Sequence, residues 1–233
     1  MAKGRSMQVI TIDGPAGAGK STLSRRLAAE LGWTYLDTGA MYRAVGWAAR
    51  RRGVDPADPA ALEELCRGLR LELEGGRVLA DGVDVTGEIR TPEVDALASA
   101  VSRNPEVRRR LSRLQRELGA RGRVVAEGRD MGTVVFPDAA VKFFVTASVA
   151  ERAARRRRQL LEKGRDVPEA ELRRQIRDRD AADASRRVSP LRPAADAVII
   201  DTTGQDLEAS LAALLDVVRE RLQGRTGRGP AAS

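Results

Sequence analysis

The chain contains no histidine and a single cysteine, Cys66, among 233 residues. Histidine acid–base chemistry, Ser-His-Asp triads, Cys/His zinc sites and intrachain disulfides are thereby excluded. Catalysis has to come from carboxylates, arginine, lysine, backbone groups and metal. Cys66 lies between Leu65 and Leu69 in a helical pattern, which reads as a small buried hydrophobe. Aromatics are scarce, with three Phe, two Tyr and two Trp, poor material for the stacking platforms of single-strand or RNA binders. No apolar run approaches a membrane span, and Met1 to Ser6 lacks the apolar segment of a secretory signal. The expectation is a cytoplasmic protein with no membrane association.

What is abundant is positive charge. Forty-one Lys plus Arg against thirty-three Asp plus Glu give a formal charge of +8, and nearly all the cations are arginine. Such a surface suits nucleic acid, but planar guanidinium forks are also what recognition of several phosphates requires. The length suits one domain with a small insert.

The most specific local signal is Gly14-Pro15-Ala16-Gly17-Ala18-Gly19-Lys20-Ser21-Thr22, which satisfies GxxxxGK[ST]. Gln8 to Ile12 before it is an apolar, β-branched run, and Ser21 to Leu31 after it carries Leu23, Leu27 and Leu31 on one helical face. A phosphate loop belongs between a strand and a helix. Its glycines turn backbone N–H groups around a phosphate, and the helix adds the positive end of its dipole. Residues Gly14 through Thr22 are therefore the expected ATP-binding loop. Lys20 bridges the β- and γ-phosphates and is expected to face solvent until they arrive; Ser21 is the expected Mg²⁺ ligand.

Trp33 to Leu36 reads as a second strand, followed by a helix to Arg52 with Asp37 or Thr38 as its N-cap. A helix passes through Leu62, Leu65 and Leu69. Then the period changes to two. Leu69, Leu71 and Leu73, Val78 and Ala80, and Val83 and Val85 are separated by Gly75-Gly76 and Asp81-Gly82, the pattern of a three-stranded antiparallel meander. Two amphipathic helices occupy residues 92–119. Arg123 to Ala126, Val141 to Val145 and Ala197 to Ile200 complete five core strands. A basic helix, Glu151 to Lys163, and a second from Glu169 to about Asp180 lie between the last two, and a final helix runs to Leu222. The fold class predicted is α/β: three layers around a parallel five-stranded sheet, with the meander inside an insert. Sites are expected at the carboxyl ends of the strands.

Once a nucleotide is placed at Lys20, arginines remain in excess around the expected pocket: Arg43, Arg108, Arg129, Arg179 and Arg186. A hydrolase needs few of them. A kinase whose acceptor is itself a phosphate must clamp a second anion and neutralise the charge that develops in transfer.

At these residues the sequence closely resembles bacterial cytidylate kinases. The matching segments are Ile10 to Thr22; Leu36-Asp37-Thr38-Gly39-Ala40-Met41-Tyr42-Arg43; Gly87 to Thr91; Glu127-Gly128-Arg129-Asp130-Met131-Gly132-Thr133-Val134-Val135-Phe136-Pro137; and Asp178 through Pro190. The resemblance covers about residues 7–222 as one P-loop kinase domain. It implies a monophosphate-binding region with an insert at about 38–119, a lid at about 152–168, and leaves 223–233 as a tail whose composition predicts disorder. It implies ATP with Mg²⁺ as donor and CMP or dCMP as acceptor. By the same resemblance Arg43, Arg129 and Arg186 clamp the acceptor phosphate and, with Lys20, form the catalytic set. Ser99, Arg108 and Asp130 read cytosine with Thr38 nearby, and Arg179 and Asp183 contact the pentose. Thr38 stands where some members have Ser. Glu127 stands where others have Asp and receives no role; Asp13 is a candidate for ordering the metal's water shell. The expectation is a monomer acting on small molecules, with no stable nucleic-acid partner. Two rivals remain: a kinase for another nucleoside monophosphate, opposed by Ser99, Arg108 and Asp130, and a nucleic-acid-stimulated P-loop ATPase, opposed by the lack of aromatic platforms.

Overall fold

The computed structural model describes residues 8–162 and 164–226. In chain order its elements are β1 (Gln8–Asp13), α1 (Lys20–Leu31), β2 (Thr34–Asp37), α2 (Thr38–Arg51), α3 (Pro59–Gly68), β3 (Leu71–Glu74), β4 (Arg77–Ala80) and β5 (Val83–Asp84). They continue with α4 (Pro92–Val101), α5 (Pro105–Gly119), β6 (Arg123–Gly128), β7 (Val141–Thr146), α6 (Val149–Leu161), α7 (Glu169–Ala184), β8 (Val198–Asp201) and α8 (Leu207–Thr226). Two compact units result, one containing the chain up to Tyr35 and from Gly122 onward, the other Leu36–Arg121.

The first unit is organised by a five-stranded sheet in the order β2-β6-β1-β7-β8. β1 pairs in parallel with β6 on one side and β7 on the other, placing Ile10 opposite both Val125 and Val141, and Ile12 opposite Phe143. These side chains share one face because alternate strand residues point the same way. α1 and α8 supply Leu23, Leu27, Leu211, Leu214 and Val218 to the same buried cluster. The expected α/β fold is therefore the one adopted. α1 stops at Gly32, whose left-handed backbone lets its N–H reach the carbonyls of Ala28 and Ala29, closing the last turn.

α6 and α7 form a helical hairpin with a small core of Ala153, Leu160 and Leu172, against which Val167 and Ile176 pack. α7 runs four residues beyond the expected Asp180, to Ala184. Its alanines extend the helix, which puts Arg179 and Asp183 one turn apart on the same side. α8 likewise continues to Thr226, past the expected boundary at 222; the rest of the tail, 227–233, lies outside the described residues.

In the second unit Asp37, not Thr38, caps α2, accepting from Ala40 N–H at 2.9 Å. β3, β4 and β5 form the separate antiparallel meander. Its two turns, Gly75-Gly76 and Asp81-Gly82, all have positive φ, the geometry that matches the twist of two-residue hairpins. α4 and α5 begin at Pro92 and Pro105 behind the caps Thr91 and Asn104. Cys66 is buried, and burial pushes its thiol up to about 11, so it is an inert hydrophobe there.

Gly14 is where the sheet hands over to the phosphate loop. Its φ is +145°, and a Cβ there would sit 1.9 Å from the carbonyl oxygen of Val145. Only a residue without a side chain lets the loop leave β1 so close to β7. Gly14→Ala should destabilise the chain by more than about 3 kcal/mol, because backbone must move. Gly75→Ala, with φ +57° and nothing within 4 Å of the added carbon, should cost about 1 kcal/mol. Urea denaturation of the two variants checks the contrast.

Candidate active site

The loop after β1 curls back so that Lys20 opens α1 from inside the protein. Its side chain is buried, and Nζ donates to the Pro15 carbonyl at 2.6 Å. This corrects the expectation of a solvent-facing lysine. The loop closes on its own ammonium. Burial, then the nearby positive charge of Arg129, lowers the Lys20 pKa, while Glu127 and Asp13 act in the opposite sense. Ser21, the next residue, is exposed at the first turn of α1.

The loop is braced from the far end of the chain. Arg152, at the start of α6, is buried; it donates to the Ala16 carbonyl at 3.2 Å and forms a two-pronged pair with Asp180 at 3.0 and 2.6 Å. Arg155 donates to Thr202, whose hydroxyl in turn donates to the Ala18 carbonyl at 3.1 Å. Thr202 was missed by sequence reasoning. Its position just after β8 was the available signal, since sites gather at strand carboxyl ends. Arg152 was assigned only as the start of a lid, whereas here it seats that hairpin on the phosphate loop.

β6 ends beside the loop, as its pairing with β1 requires. Glu127 is buried and accepts from the Tyr35 hydroxyl at 2.7 Å, a bond that no local pattern announced. Arg129 follows, and its Nε donates to Asp183 at 3.0 Å. Arg186 pairs with the other oxygen of the same carboxylate. Burial alone would raise the Asp183 pKa, but Arg129, Arg186 and Arg179 outweigh it and hold the carboxyl below its ordinary range. Stability from this group is therefore present above the ordinary value of 3.8 and is lost as pH falls below it. Of the residues anticipated in this unit, Lys20, Arg129, Arg179, Asp183 and Arg186 are thus coupled. Asp130 is buried, and its carbonyl accepts from the N–H groups of Val134 and Val135 in a π-helical turn over Met131–Val135. That turn was not anticipated.

In the second unit the anticipated residues are also held by partners. Arg43 donates to Asp95 at 2.8 Å and lies 3.9 Å from Asp37, whose other oxygen receives Arg90 at 2.9 Å. Arg108 is buried over the Tyr42 ring, 5.5 Å from its centre, and donates to the Ser102 carbonyl at 3.2 Å. Ser99, half-buried on α4, gives its carbonyl to the Ser102 hydroxyl at 2.8 Å. Thr38 is buried at the first turn of α2.

A phosphate loop with a buried lysine, and two arginines gathered on one buried carboxylate beyond the next strand, form the local geometry expected of a kinase for a phosphorylated acceptor. The cytidylate kinase family model matches residues 10–220. The chain belongs to the cytidylate kinase family. It is 49% identical over 213 residues to a cytidylate kinase of Carboxydothermus hydrogenoformans, covering 90% of this chain and 96% of that one. It is 50% identical over 222 residues to a bifunctional pantoate ligase/cytidylate kinase of Synechococcus elongatus, covering 91% of this chain and 42% of that protein. The chain thus spans less than half the length of that bifunctional relative. Among solved structures, an uncharacterized protein from Eubacterium ventriosum superposes with a TM-score of 0.52 at 11% identity, covering 92% of this chain and 99% of that one; the likeness is one of fold. No helix among the described residues is long and apolar enough to cross a membrane. Family membership makes ATP the expected donor at the loop.

Lys20→Met should reduce phosphoryl transfer about a thousandfold without loss of thermal stability. The change removes a buried ammonium beside Arg129 and leaves an apolar chain of similar volume. Steady-state rates and a thermal melt on one preparation check both halves.

Proposed function

We propose that the chain transfers the γ-phosphoryl group of ATP to the phosphate of CMP or dCMP, giving ADP and CDP or dCDP, as a cytoplasmic monomer acting on free nucleotides. The observation that carries this reading is the fork of Arg129 and Arg186 on Asp183, with Arg129 near enough to Lys20 to act on its charge. A loop that only hydrolysed ATP would have no use for a second, pre-built anion fork.

The acceptor's phosphate oxygen bonds to the γ-phosphorus as the bond from that phosphorus to the β,γ-bridging oxygen breaks, and ADP leaves with the electron pair. No general base is needed, because the attacking oxygen is already anionic. Positioning and charge neutralisation supply the catalysis. Lys20 holds the donor's β- and γ-phosphates within the loop Gly14 to Thr22. Arg129 and Arg186 in the first unit, and Arg43 in the second, hold the acceptor phosphate. Asp183 keeps its fork oriented and, with Arg179, contacts the pentose. Cytosine is read by Ser99 and Arg108, near Thr38, in the second unit and by Asp130 in the first. The α6–α7 hairpin, with the basic segment 152–168, serves as the lid that excludes water.

Mg²⁺ fits the donor set. Ser21 presents an exposed hydroxyl beside Lys20, a hard oxygen of the kind this ion takes. No cluster of three or more His, Cys, Asp or Glu side chains suited to a metal occurs among the described residues. When bound, it neutralises charge on the donor phosphates.

Three measurements test the reading. ADP release with CMP, dCMP, UMP, AMP, GMP and no acceptor should be fast only with the cytidine nucleotides; equal turnover without an acceptor would overturn the proposal. Arg129→Lys and Arg186→Lys should each recover little of the activity lost in the alanine variants, because a point charge cannot replace a two-pronged contact; full recovery would reduce the fork to net charge. The CMP-to-UMP activity ratio should be high and should collapse in Arg108→Met and Asp130→Ala. Cytosine pairs an amino donor with an N3 acceptor, uracil reverses both, and each mispaired buried group costs about 1–3 kcal/mol. Equal losses with both acceptors would assign these two residues to structure.

A further inference from the structure

Arg129 and Asp130 form a two-residue arch, and both feet of the arch stand on Asp13. One foot is Gly128, which pairs with Asp13 in the β1–β6 register. The other is the turn beginning at Met131, whose N–H donates to Asp13 Oδ1 at 2.9 Å while Gly132 N–H donates to Oδ2 at 2.8 Å. The carboxylate is 4% exposed, so water does not compete for these bonds. The turn also lies flat on the strands. A Cβ on Gly132 would meet Thr11 Oγ1 at 2.9 Å, Lys142 Cδ at 3.2 Å and Asp13 Oδ2 at 3.4 Å. The same Asp13 immediately precedes Gly14, where the phosphate loop begins.

We infer that Asp13 is a positioning residue whose ionised carboxylate clamps the turn after Arg129 and Asp130 to the root of the phosphate loop, fixing the acceptor-side groups relative to the donor loop. This deepens the proposed kinase function and rests on the reading that Arg129 and Asp130 serve the acceptor. An ionised carboxylate accepts from both N–H groups. A protonated one turns a hydroxyl toward one of them and loses one of the two bonds that hold that turn.

The charge environment supports a role in positioning over one in stability. Burial, outweighing the two N–H bonds, pushes the Asp13 pKa up from 3.8 to about 6; Asp130 raises it further and Lys20 opposes the rise. Lys142, packed against Gly132, spends its ammonium on Asp196 at 2.9 Å. A folded-state value above the unfolded one means that stability from this group is present below pH 3.8 and lost as pH rises through about 6. At neutral pH the clamp therefore works against the stability of the fold, as groups serving function do.

The wild-type chain supplies the first test without any substitution. The amide proton shifts of Met131 and Gly132 should titrate together with a midpoint near 6, and this titration should vanish in Asp13→Asn. Above that pH, Asp13→Asn should melt no lower than wild type and raise the KM for CMP by about tenfold or more, well beyond any change in the ATP dissociation constant, since small misplacements of binding groups are costly. Titration-silent amides in wild type, or an unchanged KM for CMP in Asp13→Asn, would overturn the inference. A parallel losing of ATP and CMP binding with a lowered melting temperature would also do so, since that is the mark of a purely structural residue. Arg129→Ala separates the two levels of argument. If it raises the KM for CMP and Asp13→Asn does not, the clamp alone fails; if Arg129→Ala leaves that KM unchanged, the assignment of the arch to the acceptor fails while the amide titration still reports on the clamp.

Discussion

A buried ammonium at the first turn of α1 is the constraint around which the charged groups of the first unit are arranged. Lys20 lies inside the protein with Arg129 adding to the penalty and Glu127 and Asp13 relieving it. Charges withdrawn from water are costly unless each finds partners. Three consequences follow in the structure. Glu127 is itself held by Tyr35, Asp13 is held by two backbone N–H groups, and Arg129 is drawn toward Asp183. The strand ends are thus a charge lattice whose members hold one another in place, the pre-organisation that makes electrostatic stabilisation effective without reorganisation.

Arginines of both units follow one pattern. Five of them are docked on a carboxylate or a carbonyl: Arg129 and Arg186 on Asp183, Arg152 on Asp180 and Ala16, Arg43 on Asp95, Arg108 on Ser102. Such docking selects a rotamer. A phosphate that replaces or shares these contacts meets guanidinium groups whose freedom has already been lost, which lowers the entropic cost of binding. These five arginines are internal wiring, whereas most of the described arginines are exposed and keep the surface basic.

Some of this was legible in the residues and some was not, and the division follows sequence distance. The period-two alternation through Leu71, Leu73, Val78 and Ala80, with its paired glycines, described the meander because hairpins are made by neighbours. Hydrophobic spacing placed α1, α5 and α8 for the same reason. The end of α7 was misjudged because nothing local forbids the helix to continue through its alanines, and the π-helical turn at Met131–Val135 was invisible because its shape is imposed by Asp13 from another strand. The solvent-facing Lys20 was the plainest error: exposure is a property of what surrounds a loop, and the surroundings include Arg152 and Thr202 from the far end of the chain.

By itself the sequence determined the order of strands and helices, the phosphate loop, and the family, since each is written in contiguous residues whose chemistry needs little context. It also excluded histidine chemistry, intrachain disulfides and Cys/His zinc sites. Only the tertiary structure decided which charges face one another. Asp13 and Met131 lie 118 positions apart and Arg129 and Asp183 lie 54 apart, and no local periodicity links such pairs. Parallel strand pairing and helix packing bring them within hydrogen-bond range, and burial then makes those contacts the ones that set protonation and position.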